Sequence, residues 1–370
     1  MRRTLSQALR ALLRRLSRPV RHDTGRRGVV IHAYRGYGSR REVFLMGRVL
    51  RQPRFESLRR GAHDPSLVDF LRRIFRRGVR GAEVRAELAG ASARATTDAD
   101  GYFEICLQGD LGDLPGTGWQ EVCILLDSPP EAAGAVARAP VYLRPAESRC
   151  VVISDIDDTV VQTGVANKLR MFWNLFFEDV ESRVAYPGVA EFYRQLRDGA
   201  SGDQGNPMLY VSRGPWAIYE ILELFFQRHG VPEGPILFLR EWGMTLQRPL
   251  PPPAKDHKLA LIRGMLAVYD DAPFVLIGDS GQQDPEIYAQ IVREHPERVR
   301  AIYIRNVGHG RDRDSAIASL AEEVAAAGAE LLLADDTVTM ARHAVRHGLV
   351  DAAAPALVRG ERTHDEQVAQ

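Results

Sequence analysis

The sequence predicts an α/β protein in which a domain built on a parallel sheet follows a small, β-sandwich-like domain. Residues 29–147 show alternating apolar strands and tight turns, whereas from residue 148 onward continuous apolar runs alternate with helical patterns. Two of those apolar runs end in clustered carboxylates, as expected of a site at the carboxyl ends of parallel strands. The predicted organisation is a basic amphipathic arm (1–28), the β-rich domain (29–147), the parallel-sheet domain (148–351) and a flexible tail (352–370).

Composition sets broad limits on function. With 370 residues and a net charge of +1, the chain has room for two domains, and the molecule as a whole is not an obvious polyanion binder. Cys106, Cys123 and Cys150 have no metal-ligand spacing, which predicts reduced thiols. No apolar run reaches the length of a membrane span, and arginines interrupt any stretch resembling a signal peptide. We predict a cytoplasmic protein that could bind a membrane peripherally, of unspecified oligomeric state.

The N-terminal arm is strongly basic. Its 28 residues contain nine arginines and a single acid, Asp23. One interpretation is a basic amphipathic helix on an anionic membrane surface; the other is a solvated arm or a helix packed on the body. No recognition motif supports nucleic-acid binding by these arginines. The helical pattern ends at Pro19 and rests on Leu5, Leu9, Leu12, Leu13 and Leu16.

The next segment has the pattern of a small β domain. A turn over residues 98–101 precedes an alternating strand, and the Thr-Asp-x-x-Gly-Tyr-Phe sequence there resembles small transthyretin-like or immunoglobulin-like sandwiches. Asp98 and Asp100 fit a plain turn better than a cation site, and residues 65–77 have the spacing of a basic amphipathic helix. We expect no chemistry in this domain. Its predicted strands are Val43–Val49, Ala82–Leu88, Tyr102–Leu107, Trp119–Leu126 and Pro140–Leu143.

The rest of the chain alternates short apolar runs with helices, which predicts a parallel sheet covered on both faces. The predicted strands are Cys150–Ser154, Met208–Val211, Ile236–Leu239, Phe274–Gly278, Val299–Ile304 and Leu331–Leu333. The predicted helices include Trp216–His229, Lys258–Tyr269 and Pro285–Glu294.

The first of these strands runs directly into three carboxylates, Asp155, Asp157 and Asp158. Like charges at this density repel one another unless they share a cation, and oxygen ligands suit Mg²⁺. An acidic turn that merely caps the strand is the alternative, because a short motif is a hypothesis until its context agrees.

Three further elements supply that context. Ser212 ends the second strand, where its hydroxyl could hold a phosphoryl oxygen or cap a helix, and Gly214 allows close backbone approach. Lys258, early in a helix, is a compact charge able to neutralise phosphoryl oxygens. Asp279 ends another apolar strand and could complete a magnesium site, with Asp284 binding the ion directly or supporting its ligands. Together, these elements predict a phosphate-transfer site.

Residues 150–307 resemble the haloacid-dehalogenase (HAD) superfamily of phosphohydrolases. Within it, four stretches are similar to the actin-patch-type phosphatidate phosphatase catalytic domain: 154–159, 210–216, 239–243 and 277–284. Arg213-Gly214 departs from the small polar residues expected in some members, which bears on substrate fit rather than chemistry. The superfamily signatures match Asp155-x-Asp157-x-Thr159, Ser212, Lys258 and Gly278-Asp279 followed by Asp284.

The resemblance implies a Rossmann-like HAD domain that hydrolyses phosphatidic acid to diacylglycerol with Mg²⁺. It implies that Asp155 is the nucleophile, that Asp157 is the acid and base, and that Ser212 and Lys258 stabilise charge on the transferring group. Asp157 is expected to reach the ion through its backbone carbonyl. The implied metal ligands are Asp155, Asp157, Asp279 and Asp284.

The substrate class rests on the space around the site. In the superfamily that the chain resembles, a cap domain inserted after the first or second motif shields small substrates. Here 52 residues separate Thr159 from Ser212 and 45 separate Ser212 from Lys258, which leaves no room for a large cap and favours a large or membrane-embedded substrate. The aromatic segment 169–177 is either an apolar flap that touches lipid or part of the core. A phosphatase for another phosphomonoester and a catalytically silent phospholipid-binding scaffold remain alternatives; intact Asp155 and Asp157 speak against the scaffold.

Overall fold

The chain divides into two compact units, one centred on the strands up to Leu143 and one that begins at Arg144. A computed structural model describes residues 28–51, 78–111, 118–130, 132–160, 185–214, 216–238, 254–308 and 310–368. Several predicted features lie outside the described residues: the arm (residues 1–27), the helix at 65–77, the aromatic segment at 169–177 and the stretch at 239–243.

The first unit is one eight-stranded sheet with the order β1-β3-β2-β8-β7-β4-β5, and β6 pairs with β3. All neighbours are antiparallel except β2 and β8. Five of the strands correspond to those predicted (β3, β4, β6, β7 and β8). The strands are β1 Val29–Ala33, β2 Gly36–Gly38, β3 Glu42–Arg51, β4 Glu83–Leu88, β5 Ala91–Thr96, β6 Tyr102–Gln108, β7 Gly118–Leu126 and β8 Val136–Leu143.

Alternation along the strands builds the core of this unit. In β6, Phe103, Ile105 and Leu107 are buried while the residues between them are exposed, as a sheet with one apolar face requires. The turn before β6 is held by the Asp98 carboxylate, which accepts hydrogen bonds from the backbone N–H groups of Asp100 (2.9 Å) and Tyr102 (2.8 Å). This arrangement is the plain turn that the sequence predicts.

The second unit is a six-stranded parallel sheet with the order β11-β10-β9-β12-β13-β14, so the predicted α/β class is confirmed. None of the described helices is long and apolar enough to cross a membrane. The strands are β9 Val151–Asp155, β10 Met208–Ser212, β11 Ile236–Phe238, β12 Phe274–Asp279, β13 Val299–Arg305 and β14 Glu330–Ala334. The α-helices are α1 Val189–Asp198, α2 Tyr219–Arg228, α3 Ala254–Val268, α4 Asp284–Glu294, α5 Arg311–Ala326, α6 Thr337–Arg346 and α7 Ala354–Val368.

The order of the strands places the predicted site residues at one edge of the sheet. Every residue of β9, β10 and β12 is buried, as expected for central strands with continuous apolar sequences. β9 lies between β10 and β12. The carboxyl ends of three neighbouring strands therefore carry Asp155, Ser212 and Asp279.

The predicted flexible tail at 352–370 is wrong for most of its length, because α7 is helical there. Val358 of this helix is fully buried. Glu361 and Asp365 accept hydrogen bonds from backbone N–H groups at the N-terminus of α1. Acidic side chains are favoured at such a position by the unsatisfied N–H groups and the helix dipole. The polar composition that suggested a tail thus serves contacts between two helices.

The three cysteines, Cys106, Cys123 and Cys150, are free thiols, as predicted. Cys106 is exposed and Cys150 is buried.

Candidate active site

Asp155 has two unequal carboxylate oxygens. It ends β9 and has no solvent exposure. Its Oδ1 accepts a hydrogen bond from Lys258 Nζ at 2.5 Å, whereas its buried Oδ2 meets no donor among the described residues. Leaving a buried acceptor unsatisfied costs free energy, and such atoms call for a functional explanation. Asp155 thus has one fixed oxygen and one that is available for chemistry or for a ligand.

Lys258 joins two acids in the interior. It lies on α3, is fully buried, and also donates to Asp284 Oδ1 at 2.5 Å. Burial alone would lower the pKa of the Lys258 ammonium, but Asp155 and Asp284 outweigh burial and hold that pKa above its ordinary value. The side chain is therefore a fixed positive charge.

The loop after β12 is organised around Asp279. The Asp279 Oδ1 accepts the backbone N–H groups of Gly281 (2.7 Å) and Gln282 (2.9 Å), and its Oδ2 accepts Gln282 Nε2 at 2.7 Å. The Asp279 N–H donates to Asp284 Oδ2 at 3.3 Å. A Cβ atom on Gly278 would lie 2.3 Å from that same Oδ2, so only glycine lets Asp284 approach the strand.

Asp155, Asp279 and Asp284 form a compact acidic cluster. Each contributes one carboxylate oxygen, and these atoms all lie within 4.8 Å of one another. Burial, and then repulsion from the neighbouring acids, raises the pKa of Asp155 well above its ordinary value despite Lys258. Burial and Asp284 raise the pKa of Asp279 to about 7. Three buried carboxylates that repel one another fit a hard divalent cation such as Mg²⁺.

Asp157 adjoins the cluster through its backbone. Its carbonyl oxygen accepts Gln282 Nε2 at 3.1 Å, the same nitrogen that bonds Asp279. Its side chain is held separately, since Oδ2 accepts the backbone N–H of Arg213 at 3.2 Å. Of the four predicted metal ligands, the structure therefore brings three carboxylates together and places the carbonyl of Asp157 beside Asp279.

Ser212 ends β10 and is buried, but it stands apart from the acidic cluster in its bonding. Its Oγ accepts the backbone N–H of Gly214 at 3.0 Å. The described side chains of the acidic cluster form no hydrogen bond with the Ser212 hydroxyl. The two interpretations of Ser212 were a phosphoryl contact and a helix cap, whereas the bond to Gly214 closes a local turn. Because the oxygen is the acceptor there, the Ser212 O–H remains able to donate.

A polar pocket of about 540 Å³ opens beside these residues. The Arg213 Nε is shielded from solvent and meets no acceptor among the described residues. A guanidinium N–H left without a partner in a pocket is suited to an anionic ligand. The lining residues are Asp158, Arg213, Gly281, Gln282, Gln283, Glu286 and Arg313.

Sequence reasoning gave no role to two residues that hold the Asp279 loop. Gln282 joins Asp157 to Asp279 through its carboxamide; it lies inside the quoted motif, so a signal was available. Arg313 donates to the carbonyls of Ser280 (2.7 Å) and Gln282 (2.6 Å). Arg313 lies on α5, and no local pattern links it to a loop about thirty residues earlier.

Arg305 was also missed. It ends β13, is buried, and donates to the Thr159 carbonyl at 3.3 Å and to Thr337 Oγ1 at 3.1 Å. Burial lowers the pKa of this guanidinium. Its position at the end of an apolar strand resembles those of Asp155 and Asp279, which is the signal that could have drawn attention to it.

The second unit therefore belongs to the class of α/β domains that carry an acid–lysine centre at the carboxyl edge of a parallel sheet. Residues 150–306 match the family described as "Phosphatidate phosphatase APP1, catalytic domain". This match and the yeast relative described next support an APP1-type catalytic domain over these residues, as the predicted resemblance implied.

Two curated relatives support this assignment. Phosphatidate phosphatase APP1 of Saccharomyces cerevisiae is 32% identical over 223 residues, which cover 59% of this chain and 36% of the relative. An uncharacterized protein of Schizosaccharomyces pombe is 28% identical over 220 residues, covering 59% and 35%. The chain thus spans about a third of the length of these relatives.

Similarity to solved structures adds nothing to this assignment. A protein of unknown function from Porphyromonas gingivalis W83 shares 10% identity and a TM-score of 0.17, covering 35% of this chain and 60% of that one. A TM-score this low does not indicate a shared fold.

Proposed function

We propose that this chain hydrolyses phosphatidic acid to diacylglycerol and phosphate, through a phosphoryl intermediate on Asp155 of a Rossmann-like HAD domain. The observation that carries the proposal is the unequal pair of Asp155 oxygens. One is held by Lys258, and the other is buried and meets no donor among the described residues. One carboxylate oxygen of Asp155 lies within 4.8 Å of one oxygen each from Asp279 and Asp284. A carboxylate fixed by one oxygen is oriented to attack with the other.

The first step transfers the phosphoryl group. Asp155 Oδ2 attacks phosphorus in line, the P–O bond to the glycerol oxygen breaks, and a bond between phosphorus and Asp155 forms. Asp157 donates a proton to the departing alkoxide. The N–H of Arg213 bonds one oxygen of Asp157, which orients the side chain for this transfer.

The second step returns the enzyme to its starting state. Asp157, now ionised, takes a proton from a water molecule, and that water attacks phosphorus. The bond to Asp155 breaks and inorganic phosphate leaves. The Lys258 ammonium stabilises charge on the transferring group in both steps, and the Ser212 hydroxyl donates to a phosphoryl oxygen.

Asp155, Asp279, Asp284 and the backbone carbonyl of Asp157 would hold Mg²⁺. When bound, the ion offsets the repulsion between the anionic phosphate and the attacking carboxylate. The Gln282 amide already aligns the Asp157 carbonyl with Asp279 Oδ2, so the oxygen ligands are organised before a cation arrives.

Two similarities support a lipid substrate: the yeast relative is a phosphatidate phosphatase, and residues 150–306 match the catalytic domain of that family. Such a substrate would bring the protein to a membrane surface from the cytoplasm, with the basic arm (residues 2–27) as a contact for anionic lipid. A phosphatase for a soluble phosphomonoester would use the same acids, so substrate comparison is the deciding test.

Phosphate release should be measured from phosphatidic acid in mixed micelles and from glycerol 3-phosphate in solution. The proposal predicts release that requires Mg²⁺ and a kcat/KM far larger for the lipid. If only the soluble ester is hydrolysed, the lipid assignment is wrong while the chemistry stands. If neither is hydrolysed, the scaffold alternative is favoured.

Mg²⁺ should stabilise the protein more at high pH than at low pH. The folded-state pKa of Asp279, about 7, lies above its ordinary value. The metal-free protein therefore loses stability as pH rises from about 4 to about 7, where ionisation creates a repulsion that Mg²⁺ removes. We expect the Mg²⁺-induced rise in Tm, followed by differential scanning fluorimetry, to be larger at about pH 8 than at about pH 5.5. An equal rise at both values, or an unchanged pH dependence in Asp279→Asn, would contradict this.

Arg213→Ala should weaken substrate binding more than turnover. A charge-assisted hydrogen bond contributes about 1.5–3 kcal/mol, so KM for phosphatidic acid should rise about 10- to 100-fold. The backbone N–H that bonds Asp157 is retained, so kcat should change much less. Arg138→Ala, which removes an exposed arginine paired with Glu121, is the matched control. A loss confined to kcat would refute the binding role.

A further inference from the structure

We infer that this chain carries a second metal site, of the zinc type, formed by Glu330, His343 and His347. Glu330 begins β14, and the two histidines lie four residues apart at the C-terminal end of α6, so they share one face of the helix. Two imidazoles and a carboxylate are a donor set that Zn²⁺ uses and that Mg²⁺ does not favour.

The three ligand atoms already converge. His343 Nε2 lies 2.8 Å and His347 Nε2 lies 3.1 Å from the same oxygen, Glu330 Oε2. All three atoms lie within 4.8 Å of one another, and the two rings stack with centroids 4.2 Å apart. Tetrahedral bonds of about 2.0–2.1 Å place ligand atoms about 3.3 Å apart, so a small outward movement would admit the ion.

A neighbouring hydroxyl can hold the first histidine in the form that a metal needs. Without an ion, His343 Nε2 lies 2.8 Å from the Glu330 carboxylate and carries a proton, which a cation would displace. The buried Tyr303 hydroxyl lies 3.2 Å from His343 Nδ1, where it can accept the Nδ1–H and leave the Nε2 lone pair for a cation. Arg300 donates to the His347 carbonyl at 3.0 Å, which ties the end of α6 to β13. His343 is buried, whereas Glu330 is 49% exposed and gives an ion a path from solvent.

This site is separate from the acid–lysine centre. Glu330 is the first residue of its strand, at the amino edge of the parallel sheet, whereas Asp155 and Asp279 end theirs at the carboxyl edge. The ion would link α6 to the edge strand β14. With three protein ligands, water completes the coordination.

The test is Zn²⁺ binding to the full chain in excess Mg²⁺, which occupies the carboxylate centre. Isothermal titration calorimetry should find one Zn²⁺ per chain, and Tm should rise by about 5 °C at roughly 100 times Kd. His347→Gln and Glu330→Gln should lose both effects, and Tyr303→Phe should weaken binding about 10-fold. His364→Gln, which alters an exposed histidine on α7, should bind like the wild type.

Co²⁺ offers a spectroscopic check. The wild type should give the visible absorption of a nitrogen-ligated, low-coordinate Co²⁺ ion, and His347→Gln should not. Zn²⁺ binding that survives in His347→Gln and Glu330→Gln but disappears in Asp279→Asn would assign the ion to the acidic cluster and overturn the inference. No binding to the wild type would reduce these three residues to an ion-pair cluster. Both readouts are independent of phosphatase activity.

Discussion

Asp155→Asn should lower kcat for phosphate release by about 10⁴-fold or more, because it removes the attacking oxygen. The effect should be equally large for lipid and soluble substrates, since the bond to phosphorus forms on this residue whatever the leaving group. Steady-state phosphate release with saturating Mg²⁺ measures it. Residual activity within 10-fold of the wild type would exclude Asp155 as the nucleophile.

The control for Asp155→Asn must separate lost chemistry from lost structure. Asp203→Asn makes the same chemical change on an exposed loop, where Asp203 accepts a hydrogen bond from the Ser201 hydroxyl. It should retain full activity. Asp155→Asn itself should fold, because the amide replaces a carboxylate whose charged form burial already disfavours. Thermal unfolding of both variants checks this directly.

Lys258→Met should lower kcat by about 10²–10³-fold, the usual loss for one preorganised charge partner, or about 3–4 kcal/mol. Methionine retains much of the apolar stem while it removes the ammonium that joins Asp155 and Asp284. The change also leaves two buried carboxylates without their cation, which costs stability. Activity should therefore be normalised to the folded fraction at the assay temperature.

A substitution on the same helix provides the comparison for Lys258→Met. Arg263→Met removes a cation whose partner, Glu294, lies at the surface, so its effect on both stability and kcat should be small. If Lys258→Met lowers stability but leaves kcat per folded molecule unchanged, Lys258 only neutralises buried acids. If kcat falls and KM is nearly constant, Lys258 acts on the transferring phosphoryl group.

The strands and the acids at their ends were predictable because each signal is local. β9 and β12 are short apolar runs that end in carboxylates, and parallel strands bring their carboxyl ends to one edge. Hydrophobic runs alternating with helices therefore indicated both the α/β class and the place of the site.

Long-range contacts were not predictable in this way. Nothing near Arg313 in the sequence indicates that it holds a loop far away in the chain. The strand end that carries Arg305 indicates a place near the site but not the segment that Arg305 contacts. The tail was misjudged for the same reason, since Glu361 and Asp365 look like solvated acids until the N-terminus of α1 is placed beside them. Likewise, Glu330 lies beside His343 because α6 packs against β14, and no local pattern in the sequence indicates that contact.

Acid quenching of the enzyme during turnover of phosphatidic acid labelled with ³²P would trap a phosphoryl group on Asp155. We expect labelled protein in the presence of Mg²⁺, with the label on the peptide that contains Asp155. Hydroxylamine should release the label, as expected of an acyl phosphate, and Asp155→Asn should carry none. Steady hydrolysis of the lipid without labelled protein, or label on another residue, would contradict a phosphoryl intermediate on Asp155.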